Sequence, residues 1–160
     1  MDIRAGTVDD IPAVLPLAAG TVAFHEALDP ARFGAVPDAA AGYDGWLRRL
    51  AGNDTDLFLV AEVDGSVVGF VIGVLDEGYR MYRVRRYGFI HDLWVEPSCR
   101  QKGIGRALVL AGIEHFRGVG AEQVRLDTAA SNETAQRLFG ACGFRRATIE
   151  MLVELDRRPV

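Results

Sequence analysis

What this chain has little of narrows its class before any motif is read. Among 160 residues there are two cysteines, Cys99 and Cys142. One pair offers no disulfide framework and no CxxC or Cys/His metal spacing, so the expectation is no metal and a reducing, cytoplasmic setting. Long apolar runs are missing as well. The stretches 57–61 and 67–75 fall far short of the roughly 18 residues that span a bilayer. The opening MDIRAGTVDD is acidic where a secretory signal is basic and then apolar, so neither a leader nor a membrane partner is expected. Positive charge is in deficit: a net charge of −4 gives nucleic acid and anionic lipid no global attraction. Repeats, low-complexity tracts and Pro/Gly/Ser-rich linkers are absent. What remains, 49% apolar and 25% charged, is the composition of a folded domain, and the length suits one domain over 1–160 rather than two.

The periodicity then orders the elements. Residues 3–5 form a short strand candidate. Thr7-Val8-Asp9-Asp10 reads as a helix cap with an acidic residue three places on, and Ile11, Val14, Leu15 and Ala18 follow at helical spacing, with Pro12 in the first turn and Pro16 set to strain or kink the helix. Two prolines and a glycine make 28–37 a loop, and 39–50 a second helix. The runs 57–63 and 67–75 are extended, joined by Asp64-Gly65, the dipeptide of a tight hairpin. Residues 76–86 are polar and arginine-rich, and 87–95 is another apolar strand. The rest reads as helix 104–117, strand 124–128, helix 133–142 and a last strand region over 144–155. The order β-α-α-β-β-β-α-β-α-β makes a mixed α/β fold, antiparallel in front with strand-helix-strand crossovers behind.

Chemistry concentrates at Arg100-Gln101-Lys102-Gly103-Ile104-Gly105, between a strand end and an apolar helix. Glycines let the backbone approach an anion, the free amides of the first helical turn point at it, and the helix dipole adds partial positive charge. Arg100, Lys102 and Arg106 supply full charges. The segment is not a Walker A loop, and Leu108 stands where GxGxxG needs its third glycine. A phosphate-bearing ligand is expected here.

Taken with its neighbours, the segment resembles a known family. Ile90-His91-Asp92-Leu93-Trp94-Val95-Glu96-Pro97, followed by Arg100-x-x-Gly103-x-Gly105-x-Ala107-Leu108, resembles the acetyl-CoA-binding motif of the GCN5-related N-acetyltransferases (GNAT). Ser131-Asn132-Glu133-Thr134-Ala135 through Leu138-Phe139 to Cys142-Gly143-Phe144 is similar to that family's N-x-x-A-x-x-L-[YF]-x-x-x-G-F segment. The resemblance implies a mostly antiparallel central sheet with splayed central strands and flanking helices. It also implies that acetyl-CoA is the cosubstrate, with Leu93, Trp94 and Val95 along its arm and Gln101 to Gly105, including Lys102 and Ile104, at its pyrophosphate. Arg100 and Arg106 would add charge, and Asn132 and Phe139 would flank the cofactor. Asparagine at 132 is equally suited to cap a helix.

The implied reaction is acetyl transfer to a primary amine of a small molecule or peptide. A lysine-like ammonium, with a free pKa near ~10.4, costs roughly 4.6 kcal/mol to deprotonate at pH 7, so a base is useful. His91 and Asp92 are the candidates, and strand alternation sends them to opposite faces, with Asp92 favoured for the acceptor side. The alternative class is a catalytically weak acyl-CoA sensor or interaction module, kept open because phenylalanine at 139 stands where many members carry a tyrosine that protonates the departing thiolate. Cys142 reads as a small buried thiol. His25, Glu26 and Asp29 are weaker candidates for the acceptor wall. Arg80, Arg83, Arg85 and Arg86, interleaved with Tyr79, Tyr82 and Tyr87, form the basic-aromatic patch that an RNA or anionic acceptor would use; a surface loop is the plainer reading. The resemblance also admits a homodimer.

Overall fold

In the computed structural model, which describes residues 1–155, a single five-stranded sheet is built in the order β1-β2-β3-β4-β5. β1 (Asp2–Ala5), β2 (Leu57–Val63), β3 (Ser66–Glu77) and β4 (Arg86–Val95) pair antiparallel, and β5 (Gln123–Leu126) joins β4 in parallel. The β2–β3 turn is the expected one, with Asp64 and Gly65 both at positive φ. Between β1 and β2 the chain forms α1 (Ile11–Leu28), the single turn α2 (Pro30–Phe33) and α3 (Ala39–Ala51). α4 (Ile104–Gly118) crosses from β4 to β5, and α5 (Glu133–Ala141) follows.

The sheet is covered on both faces. On one face, Ile11, Val14, Leu47 and Leu50 of α1 and α3 bury against Phe58, Val60, Phe70 and Ile72. On the other, Leu108 and Phe116 of α4 bury against Leu57, Val71 and Ile90. α4 sits close because the strands give it room. A Cβ on Gly88 would fall 2.2 Å from the fully buried Phe116 ring, and one on Gly73 would fall 3.1 Å from it. Before α1, the amide and hydroxyl of Thr7 donate to Asp10 Oδ2 at 2.8 and 2.9 Å, and Arg4 bridges Asp10 and Glu62 at 2.8 and 2.9 Å. The Arg4 bond holds the Asp10 carboxyl far below the usual carboxylate range.

Four expectations need correction. Residues 144–155 form no strand: alternation supplies strand character, but a strand persists only in a ladder, and among the described residues none takes it. The loop at 28–37 contains α2, because Asp29 accepts from the Arg32 amide at 3.2 Å and Pro30 suits the first helical position. β5 ends at Leu126, two residues early. Finally, Val8–Leu28 is apolar and long enough to cross a bilayer by length and composition, which counting unbroken runs misses. Its Ile11, Val14, Leu17, Ala18 and Thr21 are buried on the sheet, the placement of a core helix. α1 passes through Pro16 without ending.

Candidate active site

The site begins with an irregularity in β4. Pairing runs Val71 to Leu93 and Ile72 to Asp92, then skips to Gly73 with Ile90, leaving His91 as an extra residue. A bulge of this kind resets the alternation of side chains. His91 and Asp92 therefore both face α3, which corrects the expectation of opposite faces. The Tyr43 hydroxyl donates to Asp92 Oδ2 at 2.9 Å, and one helical turn on, the Trp46 ring meets His91 edge-on at 5.2 Å. Phe89 packs on the other side of His91 at 4.8 Å. Beyond the bulge, Trp94 returns to the α1 face, where Phe24 meets it edge-on at 5.8 Å.

Desolvation dominates the protonation of both residues. It pushes the Asp92 carboxyl above the ordinary range, while the Tyr43 hydrogen bond and the nearby imidazoles of His25 and His91 pull it back. Desolvation lowers His91 below an ordinary histidine, against Asp92, Asp76 and Asp127, which favour its cation. The His91 ring is thus neutral at pH 7 and can accept a proton. Burial and the adjacent carboxyl push Tyr43 far upward, so its hydroxyl stays a donor. His91 is solvent-exposed, whereas Asp92 is half-buried. In front of His91 lies an open cleft of about 520 Å³, walled by Trp46, Arg49, Asp56 and Asp76 among others.

The second part of the site is an unpaired stretch of backbone. β5 follows β4 only from Tyr87 to Ile90, so from His91 onward β4 has no strand neighbour on that side among the described residues. The amide of Glu96 donates to Val68 of β3 at 2.8 Å. By strand alternation, the main-chain groups of Leu93 and Val95 look the other way, into the opening. The Arg100 Nε donates to the Val95 carbonyl at 2.9 Å, and its guanidinium lies 4.4 Å over Trp94. Arg100 is therefore turned back onto β4 rather than toward the glycine loop.

That loop is the third part. Gln101 and Gly103 both have positive φ, 61° and 82°, a winding that turns successive amides toward one side. Gly103 stands immediately before α4, and Ala107 is the first residue whose amide returns to it, at 3.0 Å, leaving the amides of Ile104, Gly105 and Arg106 without intrahelical partners. Gln101, Lys102 and Arg106 are exposed, and Lys102 Nζ reaches the Ser98 carbonyl at 3.4 Å. A Cβ on Gly105 would touch Leu138 at 3.4 Å, so α5 abuts the start of α4.

The other candidates divide. Asn132 caps α5, its Oδ1 accepting from the Ala135 amide at 3.1 Å. Phe139 is buried and meets Phe144 edge-on at 5.8 Å; burial pushes the half-buried Cys142 thiol upward. His25 stacks on Phe33 at 5.2 Å in the last turn of α1, and Asp29 is occupied in capping α2. The amides of Arg85 and Arg86 donate to Glu122, and Arg85 itself reaches the Arg80 carbonyl, so the arginine patch is tied into a loop away from the bulge. Tyr43 and Trp46 were not singled out from sequence. Their three-residue spacing on one helix face was the available signal.

Among known proteins, the model of the acetyltransferase (GNAT) family matches residues 21–144. A mycothiol acetyltransferase of Sanguibacter keddieii is 39% identical over 98 residues, 61% of this chain and 31% of that protein. An N-alpha-acetyltransferase of Sulfurisphaera tokodaii is 32% identical over 97 residues, 58% of each chain. The chain thus spans about a third of the mycothiol acetyltransferases it matches. In structure, a mutant of the BH1408 protein from Bacillus halodurans superposes with a TM-score of 0.84 at 21% identity, covering 97% of this chain and 99% of that one. An aminoglycoside N-acetyltransferase, AAC(6')-Iy, in complex with CoA superposes at 0.72 and 22% identity, covering 98% and 94%.

Proposed function

This chain belongs to the acetyltransferase (GNAT) family, and from that premise we propose that it transfers an acetyl group from acetyl-CoA to a primary amine of a small molecule or peptide. The observation that carries the reading is the meeting of three features at one end of β4: an unpaired backbone edge, a loop of outward amides at the start of α4, and a neutral histidine beside a carboxyl. An anionic, extended ligand with amide groups suits the first two. Residues Gln101 to Arg106 would hold its phosphates, Leu93 and Val95 its amides, and Trp94, Asn132 and Phe139 would shape the groove. Acetyl-CoA would supply the activated acetyl thioester.

The protein's own task is to hold the amine and take its proton. His91 is neutral and open to the cleft, so we give it the proton-accepting part. Asp92, tied to Tyr43 behind it, favours the imidazolium that results and so acts as a positioning residue. This reverses the preference for Asp92 drawn from sequence, because the bulge puts both on one side and leaves His91 the more exposed. Asp76 and the Trp46 face in the cleft suit a cationic acceptor. The leaving thiolate has a pKa near ~8.5 and can take its proton from water, so phenylalanine at 139 is compatible with turnover. The free Cys99 and Cys142 support a cytoplasmic setting, and we treat 1–160 as one domain.

The same phenylalanine favours a second reading, a sensor that binds acyl-CoA and turns over little. Acetyl-CoA titration followed by thermal unfolding, then free-thiol release across an amine panel, separates the two. Amine-dependent thiol release supports the enzyme; a raised Tm with no release on any amine supports the sensor; neither effect overturns both.

A further inference from the structure

Besides Trp46, six polar side chains line the cleft in front of His91, and the fold already uses four of them. The buried Asp56 accepts from Asn53 Nδ2 and from the Leu75 amide, both at 3.0 Å. Asn53 Oδ1 in turn accepts from the Thr55 amide and hydroxyl at 3.0 and 2.8 Å. Asp76 accepts from the Glu77 amide at 2.9 Å and from the Tyr87 hydroxyl at 3.3 Å. His91 and Arg49 are left: among the described residues, neither side chain has a hydrogen bond or an ion pair.

The preceding residue shows the contrast. Arg48 stays on the surface of its own helix and holds Asp44 at two points, 2.8 and 3.1 Å. Arg49 lines the cleft, exposed and without a counter-ion among the described residues. Its charge reaches the proton acceptor: burial is the main reason that the His91 ring stays neutral, and Arg49 adds to it. A guanidinium is a rigid fork of donors whose complement is a carboxylate gripped at two points. Trp46 and Val74 supply apolar wall to the same cleft.

We propose, on the reading of this cleft as the acceptor site, that the amine it takes also carries a carboxylate: the amine faces His91, and Arg49 grips the carboxylate. Spacing narrows the class further. The Trp46 ring lies 5.2 Å from His91, and Arg49 stands three residues further along α3, about 4.5 Å of helical rise. The two charged ends of the acceptor are thus several bonds apart, with an apolar linker along Trp46 and Val74. A linear ω-amino acid fits this arrangement; an α-amino acid, with one carbon between its charges, is too short. Asp76 in the wall attracts the amine, whereas a diamine would set its second ammonium against Arg49.

The test uses the full chain, acetyl-CoA and three amines of one length, 6-aminohexanoate, hexylamine and 1,6-diaminohexane, with glycine as the short zwitterion. Thiol release gives kcat/KM, and tryptophan fluorescence with CoA present gives binding apart from turnover. A two-point charged contact should favour 6-aminohexanoate over each of the others by about 10–100-fold in kcat/KM. Arg49→Gln should bring its ratio to hexylamine near unity, Arg49→Lys should keep part of it, and Arg49→Glu should turn the preference toward the diamine, each variant folded by circular dichroism. Release from these amines with no preference for the carboxylate, a preference that survives Arg49→Gln, or glycine taken as well as 6-aminohexanoate would overturn the carboxylate assignment and leave the transferase reading standing. No release from any amine would overturn the transferase reading, and binding then decides: 6-aminohexanoate saturating the wild type but not Arg49→Gln upholds the contact, and equal binding by both, or none, overturns it.

Discussion

Removing the Tyr43 hydroxyl isolates the interaction that sets the charge behind His91. In Tyr43→Phe the ring still fills its place on α3, but Asp92 loses the donor at 2.9 Å. A hydrogen bond to a charged group is worth about 1.5–3 kcal/mol, and one between neutral groups about 0.5–1.5 kcal/mol. The Asp92 pKa is already raised in the fold by burial, and the lost bond raises it further. A carboxyl whose folded pKa lies above its unfolded value binds more protons when folded, so stability falls as pH rises from the unfolded pKa through the folded one and is level beyond. In the variant that fall continues to higher pH. The deficit against wild type should therefore shrink as pH falls, where protonation leaves only a bond to a neutral carboxyl to lose, and be full at pH 8. At about 2–4 °C per kcal/mol for a domain of this size, the pH 8 deficit is about 3–12 °C in Tm. Calorimetry at the two pH values measures it. A deficit equal at pH 4 and pH 8 would refute the idea that the phenol supports an ionised Asp92.

Three further outcomes follow from the same geometry. Asp10→Asn should cost about 1–3 kcal/mol at neutral pH in urea unfolding; because Asp10 is held low in the fold, the gap should close as pH falls below about 4, and a pH-independent gap would contradict the Arg4 assignment. Gly88→Ala places a methyl group 2.2 Å from the Phe116 ring and should cost about 1–3 kcal/mol, partly restored by Phe116→Leu; a neutral Gly88→Ala would mean that α4 is less tightly seated. Gly103→Asp puts a side chain at a φ of 82° and a negative charge beside the free amides of α4, so it should abolish the acetyl-CoA-induced rise in Tm while leaving the protein folded; an undiminished rise would move the phosphate site elsewhere.

The parts of this molecule legible from sequence are those set by local chemistry. The Asp64-Gly65 turn needs only its own two residues at positive φ, and the α4 helix and its glycine loop follow from spacing and composition. Asn132 caps α5 because its side chain reaches an amide three residues away. What escaped depends on partners remote in the chain. The bulge at His91 is a mismatch between β3 and β4, invisible in either strand alone, and it decides where the two candidate residues point. Tyr43 and Trp46 matter only because α3 lies against that bulge. Residues 144–155 have the alternation of a strand, but whether a ladder exists is a question of what lies beside it. The family resemblance, carried by two motifs around β4, α4 and α5, reached the family and the fold; it could not reach the phase of the side chains.

The central claim, that the β4 bulge presents His91 as the proton acceptor for an amine, is tested most directly by the pH dependence of kcat/KM for wild type and His91→Gln with one amine that turns over. The account predicts a wild-type profile that rises through an ionisation below that of ordinary histidine. His91→Gln should lose about 10²–10⁴-fold and that ionisation together, while retaining the acetyl-CoA-induced rise in Tm. A His91→Gln protein within a few-fold of wild type, with the same ionisation in its profile, would contradict it.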